Sequence, residues 1–177
     1  MEEKEKLIKG IIMSEESKEI IQVKTIKQKV WDFLTNEKGF YPSEIETDPE
    51  FRIALSDCEF LTSIDYVINL ASVSFMVIRC ISTAIESWER YVISVARVIK
   101  DYQIPYAVVT DYDNARIIDV LKGSLISESL DDLFNRHEAV EKMKDFKKIS
   151  YPANKIEREK RIIYAFEGIK CPTIKDP

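Results

Sequence analysis

The sequence predicts an α/β fold: a mixed central β-sheet of about five strands flanked by helices. Three observations predict it. Three β-like runs succeed one another between Ile45 and Ile81. A helical pattern then extends to about Tyr102, and a short apolar run, Tyr106 to Thr110, follows it. Strand, helix, strand in that order implies a right-handed crossover to a parallel neighbour. The short links between the earlier runs favour antiparallel hairpins.

Residues 1–22 read as a charged arm, 23–140 as the α/β domain and 141–177 as a basic helical extension. Within the domain, Val23, Ile26, Val30, Phe33 and Leu34 recur at helical spacing, and Gly39 stops that helix. Ile45 to Leu55 alternates imperfectly, Leu61 to Leu70 is rich in β-branched residues, and Val73 to Ile81 is almost continuously apolar. A strand of that last kind is buried on both faces. Thr83 followed by Glu86 has the spacing of a capping box and predicts a long helix to Tyr102, with Ile85, Trp88, Val92, Val95, Ala96 and Ile99 on its core face. Ala115 to Val120 is a further strand, and Gly123 begins a connection. A helical segment starts near Ser129, and a last helix, Lys155 to Phe166, is dense in charge.

At 177 residues the chain is about one domain, and with 45% hydrophobic residues it can build a core. No apolar run approaches the ~20 residues of a membrane span, and the N-terminus lacks signal-peptide architecture. The expectation is a cytoplasmic protein. Three cysteines, Cys58, Cys80 and Cys171, form no CxxC pair, and His137 is the single histidine. Reduced thiols are therefore expected, without a zinc site and with no catalytic role for His137. Phosphate-binding glycine loops, GxSxG and HExxH are absent.

An acid, Asp65, interrupts one β-run, and a second run, Phe75 to Ile81, follows before a helix. This layout resembles the PD-(D/E)XK nuclease superfamily. There an acid on the first strand and an E-x-K triplet on the second hold a divalent metal and orient the attacking water. The order Lys38-Gly39-Phe40, Asp65, Arg90-Tyr91, Pro105-Tyr106-Ala107-Val108-Val109-Thr110 and Ala115-Arg116-Ile117-Ile118-Asp119 resembles the N-terminal domain of type I restriction enzyme R subunits. The resemblance spans residues 23–140 and implies a restriction-endonuclease-like fold.

The departures bear on activity. The E-x-K triplet falls on Arg79-Cys80-Ile81, so a cation replaces the second acid and an isoleucine replaces the lysine. The acid of the first helix falls near Val23, with Glu19 one turn earlier. Asp65 reads either as a metal ligand or as a structural partner of Arg79 on the neighbouring strand. Glu86 reads either as a capping residue or as a relocated acid. Three functions stay open. One is a non-catalytic nuclease-fold protein that binds nucleic acid or a protein partner. Another is an active nuclease using Asp65 and Glu86. The third is a structural or oligomerising domain. No cofactor is expected, Mg²⁺ being required only by the active reading.

Charge is uneven along the chain. Residues 142–170 hold nine Lys/Arg against four Asp/Glu, within a chain of net charge -5. Nucleic-acid contacts, if made, fall on Lys147, Lys148, Arg158 and Arg161, with Lys144, Lys155 and Lys160 beside them; the alternative is a solvated helix face.

Overall fold

The structure, a computed structural model, describes residues 2–167. Its longest element is α1 (Glu2–Asp32), which ends in a π-helical turn, Phe33–Glu37, and at Gly39 with φ +74°. Only glycine adopts that left-handed conformation without strain. The charged arm and the first domain helix are thus one continuous helix. Its N-terminal two-thirds stand exposed, and burial begins near Ile26.

The strands are β1 (Ile45–Thr47), β2 (Glu50–Ala54), β3 (Glu59–Ser63), β4 (Tyr66–Leu70), β5 (Val73–Cys80), β6 (Tyr106–Thr110), β7 (Ala115–Asp119) and β8 (Ser124–Ser127). The main sheet has the order β1-β4-β5-β6-β7-β8, and β2 and β3 form a separate two-stranded sheet. The sheet is mixed, as expected. Its parallel pair is β5 with β6, and the other neighbours run antiparallel. The crossover between β5 and β6 carries α2 (Glu89–Val98).

Three readings of local structure change. Ile45 to Leu55 is not one strand. Asp48, at φ +50°, and Pro49 break it, so β1 joins the main sheet and β2 turns into the hairpin with β3. Leu61 to Leu70 is likewise two strands, parted at Ile64-Asp65. The connection after Gly123 contains β8, which raises the main sheet from about five strands to six.

The helix following β5 also differs. Its first turn, Ile85–Trp88, is 3-10, and its N-cap is Ala84 with no side-chain cap hydrogen bond. The Thr83–Glu86 capping box does not form, and the α-helix ends at Val98 rather than Tyr102. Tyr102 instead turns its hydroxyl back to accept a hydrogen bond from the Ser74 amide at 2.7 Å. The segment starting near Ser129 is a 3-10 turn, Leu130–Asp132, followed by α3 (Arg136–Lys144). Asn135 and Glu138 make the capping box of α3.

Helices cover both faces. One core gathers Ile26 and Val30 of α1, Phe33 of the π-helical turn and Ala139 of α3 against Ile68, Met76, Ile78 and Val108. The other packs Val92, Val95 and Ala96 of α2 against Val67, Val77, Ala107 and Val109. Ile163 of α4 (Ala153–Glu167) joins this second core. Alternate residues of β5 feed opposite cores, which follows from the two-residue period of a strand. Both cores therefore depend on β5, the near-continuous apolar run. The β4–β5 hairpin turns through Ala71 and Ser72, both at positive φ, as a two-residue primed turn requires.

Candidate functional site

The break between β3 and β4 places Asp65 at a strand end, where the backbone no longer pairs within β3 and its side chain can turn inward. Asp65 is buried, 6% exposed. One carboxylate oxygen faces the Lys27 ammonium of α1 at 3.3 Å. The other accepts the Cys80 amide of β5 at 2.7 Å and lies 3.8 Å from the Arg79 guanidinium. Asp65 and Arg79 therefore stand within ion-pairing reach, as their positions on adjacent runs imply.

Lys27 also binds Asp48, and the Asp48 amide donates to the Asp65 carbonyl at 2.9 Å. The left-handed turn that splits β1 from β2 thus supplies a second acid to this cluster. Burial alone would lower the Lys27 pKa. The hydrogen bond to Asp48 and the charge of Asp65 outweigh it and hold the ammonium above its ordinary value. Burial, reinforced by the Asp65 charge, pushes the Cys80 thiol well up, so it stays protonated.

Arg79 is held from its other side by aromatic rings. Its guanidinium lies 5.2 Å from the Trp88 ring centre and 5.5 Å from that of Tyr91. It donates to the Ser63 carbonyl at 3.3 Å, while its buried Nε has no partner. The Tyr91 hydroxyl is anchored on the Ser63 carbonyl, Thr62 and Glu167. Trp88 and Tyr91 are thus packing residues that position a cation.

A pocket of about 230 Å³ opens beside this cluster, lined by Glu19, Val23, Asp65, Arg79, Ser82, Thr83 and Trp88 among others. Glu19 and Val23, one turn apart on α1, both reach it. Ile81 also lines it, from the end of β5. Glu86 lines a different pocket, with Asp111, Asn114, Arg116 and Glu128. Among the described residues, no group of three or more His, Cys, Asp and Glu is placed to hold a metal ion.

Lys27 and Asp48 are the members that sequence reasoning missed. Lys27 carried a signal: it follows Val23 by one turn and sits beside the buried stripe of Ile26 and Val30, where a lysine needs an anion. Asp48 carried a partial one: Asp48-Pro49 is a turn-initiating pair inside the run, but the partner the reversal brings it to is not readable from spacing.

The C-terminal cations do not form one uniform surface. Arg161 pairs with Asp57 and Glu157, and Lys160 donates to the Ala54 carbonyl. Lys148 lies over the Tyr102 ring, and Lys144 pairs with Glu141. Lys147, Lys155 and Arg158 are exposed. Cys171 lies outside the described residues, whereas Cys58 is half-buried and Cys80 buried. No helix among the described residues is long and apolar enough to cross a membrane.

An α/β domain with a mixed sheet, two helix-covered faces and a charged pocket where β4 begins and β5 ends is the class these observations define. The chain belongs to the family described as the type I restriction enzyme R protein N terminus, whose model matches residues 24–133. The match includes Lys27, Asp65, Arg79 and Glu86, and begins after the exposed part of α1. Neither the search of curated proteins nor that of solved structures finds a match.

Proposed function

We propose that this chain is a non-cleaving, nuclease-fold member of its family that binds nucleic acid rather than cutting it. The observation that carries the reading is the neutralised state of Asp65, with Lys27 on one oxygen and Arg79 and the Cys80 amide on the other. In the PD-(D/E)XK arrangement that its sequence resembles, this acid would share a divalent metal with a second acid at position 79. A divalent ion binds through carboxylate oxygens. Here it would have to displace two cations, one of them fixed against Trp88 and Tyr91. The donor set does not fit Mg²⁺, and no catalytic step is derived through it.

Nucleic acid is the partner to which the exposed cations Lys147, Lys148, Lys155 and Arg158 are best suited, since phosphate contacts dominate such affinity. Arg161 is already engaged with Asp57 and contributes less. The test has two arms. Plasmid, single-stranded DNA and RNA incubated with the protein in Mg²⁺ or Mn²⁺ should stay intact. Metal-dependent cleavage that disappears in Asp65→Asn and Glu86→Gln would instead establish the active reading with relocated ligands. In the second arm, labelled duplex and single strands titrated at two salt concentrations should bind more weakly at high salt. Replacing Lys147, Lys148 and Arg158 by Glu should abolish that binding. No binding at low salt would leave a protein as the partner.

A further inference from the structure

We infer that the exposed N-terminal half of α1 is a self-association surface, which pairs antiparallel with the same helix of a second copy of this chain. The observation is independent of the Asp65 pocket and falls outside the residues that match the family.

Leu7, Ile8, Ile11 and Ile12 are 66%, 55%, 51% and 48% exposed. At 100° per residue they share one face of α1, with the midline of that face running through Lys4 and Glu15. The patch is therefore a block of four aliphatic side chains closed at one end by a cation and at the other by an anion. Beyond Glu15 the same side of the helix carries Lys18, Glu19 and Gln22, so the apolar surface stops there. Met13, Ile20 and Ile21, which are also exposed, lie on the other side of the helix and outside this block.

The charges select the partner and its direction. A two-fold axis between Lys9 and Gly10 sets Ile8 level with Ile11 of the second copy, with Leu7 and Ile12 flanking that layer on either side. The same axis sets Lys4 against Glu15 at both ends. A parallel pair would oppose Lys4 to Lys4 and Glu15 to Glu15, and like charges at an interface select against that register. The geometry also avoids collision. In the antiparallel pair, residue 2 of the second copy lies opposite residue 17, short of Val23 and of the buried part of α1. The two domains sit at opposite ends.

The exposed area on these four residues amounts to roughly 800 Å² for the pair of helices, below the ~1,000 Å² that a stable specific interface clears and in the range of weak, transient contacts. The dimer is accordingly weak and concentration-dependent.

Sedimentation velocity on the full chain over a hundredfold range of concentration tests this. The expected result is a monomer–dimer equilibrium in the micromolar range, abolished by Ile8→Lys/Ile11→Lys with an unchanged circular dichroism signal from the domain. Lys4→Glu should weaken the dimer about tenfold. Lys4→Glu combined with Glu15→Lys should restore it, because both end pairs are then re-formed with reversed sign. A monomer at every concentration would overturn the inference and give the face to another partner. A dimer that survives Ile8→Lys/Ile11→Lys, or one that the double charge reversal fails to restore, would overturn it as well.

Discussion

Two buried acids in this protein each face two cations, and they differ in whether the arrangement is closed. Glu159 of α4 is 0% exposed at the α2–α4 contact. Arg90 donates to it at 2.6 Å, Tyr151 at 2.9 Å and Ser94 at 2.6 Å, with Arg97 at 3.4 Å. Every side of the carboxylate is taken, and no described pocket includes it. Asp65 has a similar pair of cations but opens onto a pocket lined by Glu19, Ser82, Thr83 and Trp88. A saturated acid in a closed interface is a clamp between elements. An acid with the same charge balance beside a cavity keeps one side open to whatever enters that cavity. The contrast also warns against reading function from ion pairing alone, since both sites contain an arginine whose buried Nε lacks a partner, Arg79 and Arg97.

The largest effect should come from the clamp. Glu159→Ala leaves Arg90 and Arg97 beside a site without an anion, and removing one member of a buried charge cluster costs ~3–5 kcal/mol. Urea unfolding would read it. A loss below about 1 kcal/mol would mean that α4 is held by Ile163 and its apolar neighbours rather than by the acid.

A smaller effect is expected at the open site. Asp65→Asn should cost about 2 kcal/mol, because the new amide can still accept from the Cys80 N–H and Asp48 still pairs with Lys27. The same unfolding experiment compares the two variants directly. If Asp65→Asn were the more damaging of the pair, the distinction between a closed clamp and an open site would fail.

The smallest effect is a pH dependence. Burial would raise the Glu159 carboxyl, but hydrogen bonds from Ser94, Tyr151 and Arg90 outweigh it and hold its pKa below the ordinary 4.5. As pH falls, the unfolded chain takes up this proton before the folded one does. The stabilisation is complete above the ordinary value and is lost as pH drops through the lower folded value. Denaturation midpoints at pH about 6 and about 3 should therefore fall further for the wild-type protein than for Glu159→Gln. Equal falls would assign the acid sensitivity to other carboxylates.

Much of the domain is legible in the sequence. β5 announced itself as a run of apolar residues too continuous for a one-sided strand. The parallel β5–β6 pair followed from the strand-helix-strand order, and Gly39 marked the end of the first helix. The pairing of Asp65 with Arg79 could be placed as well, because neighbouring strands bring such positions together. The Thr83–Glu86 spacing misled, since a spacing reports opportunity and not backbone conformation. Residues 83–88 are shaped instead by the packing of Ile85 and Trp88 onto the second core, which sets a 3-10 turn ahead of α2.

The sequence by itself determined which segments are apolar on one side or on both, and so the sheet, its crossover and the order of its helices. These are local periodicities, written in residues a few positions apart. Only the tertiary structure decided where each charge finds its partner. Lys27 reaches Asp48 and Asp65, and Glu159 meets Arg90 and Arg97, across separations of 21 to 69 residues. Chain reversals such as the one at Asp48 settle those meetings. A charge is stabilised by what surrounds it in space, and no pattern of neighbours along the chain specifies that.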